Sequence, residues 1–145
     1  MRAVVQRVSS GKVTVGDRLI ASIEAGLVIL LGIGPADNVD NARHLAEKIA
    51  RLRIFEDDQG KMNLSVQDVK GSAIVVSQFT LYADTARGNR PSFTDAAKPE
   101  IASPLCDSFI EFLTQMGIPT QTGEFGAHMR VQIVNDGPVT IWLEA

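Results

Sequence analysis

Along the first third of the chain, apolar residues come in short runs broken by glycine, which is the pattern of strands. Met1 to Ser9 has strand character, and Lys12-Val13-Thr14-Val15 is followed by Gly16-Asp17 and Arg18-Leu19-Ile20-Ala21. A two-residue loop led by glycine between such runs predicts a tight hairpin. Leu27-Val28-Ile29-Leu30-Leu31, between Gly26 and Gly32, is apolar throughout and predicts a strand buried on both faces. The period then changes. Asp37 and Asn38 offer N-caps, and Ala42, Leu45, Ala46, Ile49 and Leu52 recur at helical spacing, with Arg43, Glu47, Lys48 and Arg51 on the opposite face. Glu56 to Gly60 reads as a turn, and Ser72 to Phe79 as another apolar strand. Ala83 to Pro99 is long, polar and aperiodic, which in a small domain points to function. Ile101, Leu105, Phe109, Phe112, Leu113 and Met116 stripe a second helix that ends near Gly117. Met129 to Val134 and Val139 to Leu143 close the chain as strands around Asn135-Asp136-Gly137-Pro138. Strands, helix, strands, helix, strands predict a mixed α/β or α+β domain, two helices covering a curved sheet.

Length and composition narrow this further. One domain over residues 1–145 is expected, because no repeat, low-complexity tract or flexible linker divides the chain. The formal net charge of -3 argues against a surface coated in cations to hold long nucleic acid, but leaves room for a local basic rim around one RNA end. Cys106 is the only cysteine, so no internal disulfide can form and a reducing compartment is the simpler reading. The polar residues Arg2, Gln6 and Arg7 break the opening too early for a signal-peptide core, and the longest apolar run is too short to span a bilayer. A cytoplasmic protein with no membrane partner is expected.

The chemistry begins with what is missing. There is no P-loop, no glycine-rich dinucleotide turn and no Gly-x-Ser-x-Gly elbow. His44 and His128 lack ligand-spaced partners, so neither a metal nor a cofactor is expected, and His44 reads as a surface or boundary residue of the first helix. Three segments remain. Ser77-Gln78-Phe79-Thr80-Leu81 closes a buried strand, where hydroxyl and amide groups either face a ligand or satisfy nearby backbone. Asn135-Asp136-Gly137-Pro138-Val139-Thr140 is either a hairpin turn or a cis Gly-Pro bond presenting two carbonyls side by side. Gly88-Asn89-Arg90-Pro91-Ser92-Phe93 is either a structured surface loop or one in which Arg90 meets phosphate.

Together these segments resemble the D-aminoacyl-tRNA deacylase family, essentially from end to end. The resemblance covers the opening Met1 to Val8, Ser77-Gln78-Phe79-Thr80, Asn89 to Phe93, and Asn135 to Thr140, in matching order and separation. It implies a three-layer α/β/β arrangement over a barrel-like mixed sheet, and a homodimer with active sites at the interface. It also implies that Gly137-Pro138 is cis and enters the partner subunit's pocket.

On that resemblance the substrate is the ester between an amino acid and the terminal ribose of tRNA, with RNA rather than DNA as the partner. The carbonyls of Gly137 and Pro138 would hold the substrate ammonium, so that an L side chain strikes the Gly-Pro backbone while a D side chain points to open space. Glycine would slip through. For hydrolysis two routes stand open: Thr80 as nucleophile, or water activated by the terminal 2′-hydroxyl with the Phe79 amide as oxyanion donor. Ser77 and Gln78 complete the expected catalytic segment. Arg7 is expected either to hold the Gly-Pro segment by charged hydrogen bonds or to be an ordinary strand residue, and Met129 either to line the pocket or to pack in the core. A non-catalytic RNA-end binding module using Arg87, Arg90 and Lys98, an esterase for another acylated metabolite, and a structural dimerisation domain are the rival readings.

Overall fold

The computed structural model describes all 145 residues. In chain order the elements are β1 (Arg2–Val15), β2 (Arg18–Ile23), β3 (Gly26–Gly32), α1 (Val39–Ala50), β4 (Phe55–Glu56), β5 (Met62–Leu64), β6 (Ser72–Ser77), a 3-10 turn (Phe79–Tyr82), α2 (Pro99–Gln115), β7 (Thr120–Thr122) and β8 (Met129–Glu144). The two stretches expected at the amino-terminal end, Met1 to Ser9 and Lys12 to Val15, are one strand. β1 is the spine of the sheet. On one side its first half pairs antiparallel with β3 and its second half with β2, while β8 runs antiparallel along its other side. From β3 the sheet continues through β6 and β7 in parallel.

The curl brings β2 round to β7, and a side chain bridges the seam. The carboxamide of Gln121 accepts from the Ser22 amide at 2.8 Å and donates to the Ser22 carbonyl at 2.7 Å, copying the pair of bonds a strand neighbour would make. The result is a mixed, nearly closed barrel-like sheet with two helices on one face.

Because successive residues of a strand face opposite sides, the two faces feed two cores. Ala3, Val5, Leu27, Ile29, Leu31, Ala73 and Val75 face the helices and pack with Leu45, Ile49, Phe109 and Leu113. Val8, Val13, Ala21, Ile23, Val28, Ile74 and Val76 fill the barrel interior. β3 and β6 are apolar throughout because both their faces are covered, as the unbroken run Leu27 to Leu31 predicts.

Asn38, not Asp37, caps α1: its side chain accepts from Asp40 and Asn41, and Asn41 returns a bond to the Asn38 amide. Asp37 instead accepts from the Gly34 amide and from Tyr82. β6 is shorter than the expected Ser72 to Phe79. It stops at Ser77, because the Gln78 amide bonds the Leu31 carbonyl at 2.7 Å and the chain then winds into the 3-10 turn. Gly117 does follow α2, at φ +82°, one residue past the cap.

Candidate active site

The ends of β3 and β6 open into a cavity of about 610 Å³, and the 3-10 turn sits at its mouth. Ser77, Gln78 and Phe79 line one wall, Phe93 and Ala96 to Pro99 a second, and the turn from Phe125 to His128 with Met129 a third. Much of the lining is apolar. Phe79, 56% exposed, meets Phe93 edge-to-face with ring centres 5.1 Å apart. Met129 belongs to this wall, and it also packs against the barrel core. Its thioether is pressed against Gly123, where a Cβ would lie 2.6 Å from the sulfur.

A 3-10 turn leaves its first amides without a partner inside the turn, so the backbone at Phe79 offers donors beside this cavity. Thr80 is exposed, and its hydroxyl accepts a hydrogen bond from the Gln78 carboxamide. No histidine, lysine or carboxylate bonds that hydroxyl. A hydroxyl that accepts from an amide and has no base beside it is not activated as a nucleophile.

The loop between the 3-10 turn and α2 has a neck and a tip. Asp84 and Ser92 exchange two main-chain bonds of 2.8 and 2.9 Å, which leaves Arg87, Gly88, Asn89 and Arg90 exposed at the tip. Gly88, at φ +69°, makes the reversal there. The Ala97 amide ties the far end of the loop to the Ile33 carbonyl at 2.9 Å. Arg90 is thus presented to solvent, while Phe93 forms part of the cavity wall.

The Asn135 to Thr140 segment is not a hairpin turn. Both flanks belong to β8, run in the same direction and pair with the same strand. Gln6 faces Thr140 and Val8 faces Asn135, so two steps along β1 face five along β8, and the surplus bulges out opposite Arg7. Side chains within the segment close the bulge. Asn135 donates to the Thr140 hydroxyl at 3.0 Å and accepts from the Val139 amide at 2.9 Å. These two bonds explain the Asn and Thr at the ends of the motif. The Gly137-Pro138 bond is cis, and both residues are exposed.

Arg7 is not an ordinary exposed strand residue, being only 5% exposed. Its Nε donates to the Asp136 carbonyl at 2.9 Å and its Nη1 to the Ile54 carbonyl at 2.7 Å, with the Asp136 and Glu56 carboxylates 3.6 and 3.9 Å from the guanidinium. Gly137 sits at φ +133°, and a Cβ there would come within 2.8 Å of Val139 Cγ2 and 3.1 Å of Arg7 Nη2. Backbone geometry and crowding both exclude a side chain.

The expected site residues therefore fall into two groups in one chain. Ser77, Gln78, Phe79 and Met129 line the cavity and Thr80 stands next to it, whereas Gly137, Pro138 and Arg7 belong to a separate bulge that contributes nothing to the cavity wall. His44 is exposed on α1, and no three His, Cys, Asp or Glu side chains are grouped so as to hold a metal. Sequence reasoning did not single out Phe125 or His128 as cavity residues, and the polar stretch around them offered no period to place them.

A family model described as D-Tyr-tRNA(Tyr) deacylase matches residues 4–144. The chain belongs to the D-aminoacyl-tRNA deacylase family. It is an enzyme of the hydrolase class. Among its relatives, the D-aminoacyl-tRNA deacylase of Roseiflexus sp. (strain RS-1) is 61% identical over 100% of this chain and 94% of its own length. That of Fervidobacterium nodosum is 54% identical, covering 100% and 97% respectively. A solved structure described as a c-Myc DNA unwinding element binding protein is 44% identical and superposes with a TM-score of 0.94 over 100% of this chain and 99% of that one. A probable eukaryotic D-amino acid tRNA deacylase, 16% identical, shares the fold with a TM-score of 0.84 over 98% and 97% of the two chains. No helix is long and apolar enough to cross a membrane.

Proposed function

We propose that this enzyme, as a cytoplasmic homodimer, hydrolyses the ester of D-aminoacyl-tRNA and rejects the L-aminoacyl ester through Gly137 and Pro138 of the partner subunit. The observation that carries this reading is the division of the family's motifs into two exposed places. The cavity beside Phe79 is lined by none of Arg7, Gly137 and Pro138, and Gly137 and Pro138 are exposed on the bulge, away from that wall. A second copy supplies each with the other. β8 also leaves one edge unpaired and carries exposed Val131, Val134 and Trp142, a long apolar edge that single chains normally cover. A rigid backbone placed against the α-carbon excludes one configuration by clash, which discriminates further than the ~1–3 kcal/mol of a missing methylene contact.

On this reading the tRNA supplies part of the chemistry. The terminal 2′-hydroxyl assists water, the Phe79 amide stabilises the developing oxyanion, and Ser77, Gln78 and Met129 shape the cavity. Thr80, bonded by Gln78, is not the nucleophile. Glycyl-tRNA, lacking a side chain, is also cleaved, and the activity serves chiral proofreading in translation.

The test is deacylation of matched D-tyrosyl-tRNA and L-tyrosyl-tRNA by the purified protein without added metal. Release from the D form alone is the expected result. Equal release from both would discard the Gly-Pro filter, and tight binding without release would leave an RNA-end binding module. A Thr80→Ala variant should keep turnover within about threefold, well short of the roughly 100-fold or greater loss expected when a catalytic group that acts in the transition state is removed.

A further inference from the structure

We propose that Lys98 and His128 bracket the 5′-phosphodiester of the terminal nucleotide at the rim of the cavity. This rests on the reading above, and adds which chain residues hold the nucleotide's charge. The chain as a whole is acidic, with 17 Asp and Glu against 14 Lys and Arg. The cavity is the reverse: no carboxylate lines it, and its only ionisable side chains are Lys98 and His128. They stand on different walls, Lys98 where the long loop meets α2 and His128 on the turn entering β8. Neither is engaged elsewhere. The five ion pairs of the chain involve the amino terminus, Arg2, Arg7 and Arg18, and neither Lys98 nor the His128 ring hydrogen bonds any protein group through its side chain.

A free ammonium and a free imidazole, both able to donate, flanking a mostly apolar pocket fit a ligand that is aromatic and neutral in its body and carries one anionic group at its entrance. A nucleoside with a 5′-phosphodiester has that form. The arrangement also orients the substrate. Its ammonium is repelled from Lys98 and finds its acceptors in the carbonyls of the Gly-Pro bulge, while the phosphate is drawn to Lys98 and accepts from the His128 ring. Both ends of the aminoacyl nucleotide are then held by charge of the right sign, and the ester lies between them, beside Phe79.

Competition kinetics with adenosine and with adenosine 5′-methylphosphate, a phosphodiester mimic, tests this directly. Both are used as inhibitors of D-tyrosyl-tRNA deacylation by the dimeric enzyme. In the wild type the phosphodiester should inhibit about tenfold more tightly than adenosine, and the advantage should shrink as salt is raised. In the Lys98→Gln/His128→Gln variant the ratio of the two inhibition constants should fall to about one. Equal inhibition by the two compounds in the wild type, or a tenfold ratio retained in the variant, overturns the bracket. Should the double variant fold poorly, Lys98→Gln and His128→Gln singly should each lower the ratio about threefold, and a ratio unchanged in both overturns it equally. A wild-type enzyme that does not deacylate D-tyrosyl-tRNA at all refutes the parent reading instead, a different outcome in the same assay.

Discussion

Arg7 shows how much one side chain decides. It is buried in a strand, yet its guanidinium joins two carbonyls on unrelated segments, Ile54 and Asp136. A planar fork can donate in two directions at once from separate nitrogens, whereas the single nitrogen of an ammonium cannot span the same two acceptors. Arg7→Lys therefore keeps the charge but frees the bulge. The expected result is a loss of about 1–3 kcal/mol in stability from an unsatisfied buried carbonyl, with a fall in the D-over-L rate ratio larger than the fall in turnover itself. Thermal unfolding and paired D- and L-tyrosyl-tRNA assays check both; an unchanged ratio in a folded variant would reduce Arg7 to a purely structural role. Tyr82 makes a second prediction at this scale. Burial, and then the nearby negative charge of Asp37, push its phenol up to about 12 from an ordinary 10.0. The folded chain keeps this proton after the unfolded chain has released it, so the contribution to stability is intact below pH 10 and is lost as pH rises toward 12. Tyr82 is the only tyrosine, so near-ultraviolet absorbance reads it alone. A midpoint near pH 10 in the folded protein would show that the burial is not real, and Tyr82→Phe should remove this part of the alkaline destabilisation.

Among the elements, legibility followed locality. β3 and α1 could be read because burial on two faces and burial on one stripe leave different periods in consecutive residues, Leu27 to Leu31 in one case and Ala42 to Ile49 in the other. β7 could not, because Thr120-Gln121-Thr122 is three polar residues whose place is decided by β6 and β2 rather than by their own pattern. The final motif misleads for the same reason. Asn-Asp-Gly-Pro has every local mark of a hairpin turn, yet the chain continues in one direction because Asn135 bonds Thr140 beyond the turn and Arg7 holds Asp136 from another strand. Its two readings could be told apart only by contacts 5 and 129 residues distant in sequence. The seam at β2 and β7 gives the prediction for this scale. Gln121→Ala removes both bonds to Ser22, but Ser22 is exposed and water replaces them, so the cost should be about 1 kcal/mol, or roughly 2–5 °C in Tm. Hydrogen exchange should quicken at the Ser22 amide while β1 and β3 keep their protection. Uniform loss of protection across the sheet would mean that the seam holds the whole barrel closed.

In the whole molecule, the fold leaves its candidate functional groups in two places. β8 pairs on one edge only, bends from the barrel core to the helix core, and extrudes the Gly-Pro bulge at the crossing point, where Met129 and Ile133 give way to Val139, Ile141 and Leu143. A monomer gains nothing from presenting such a bulge outward, and pays for an exposed apolar edge. A two-fold dimer uses the same patch on both subunits, so one association covers both edges and completes both sites. Trp142 is the residue to test this on, being 56% exposed on β8 and the only tryptophan in the chain. Its emission should shift to the blue on association, and dilution should reverse the shift and abolish deacylation over the same concentration range. Trp142→Glu places a charge where association would bury it, at a cost of several kcal/mol, without disturbing a core to which the residue does not belong. The variant should sediment as a folded monomer with native far-ultraviolet dichroism and deacylation reduced at least about 100-fold, the loss of a group essential in the transition state. A monomer that deacylates at the wild-type rate and still spares L-tyrosyl-tRNA would break the link between dimer and filter, because each cavity would then be selecting without the partner's Gly137 and Pro138.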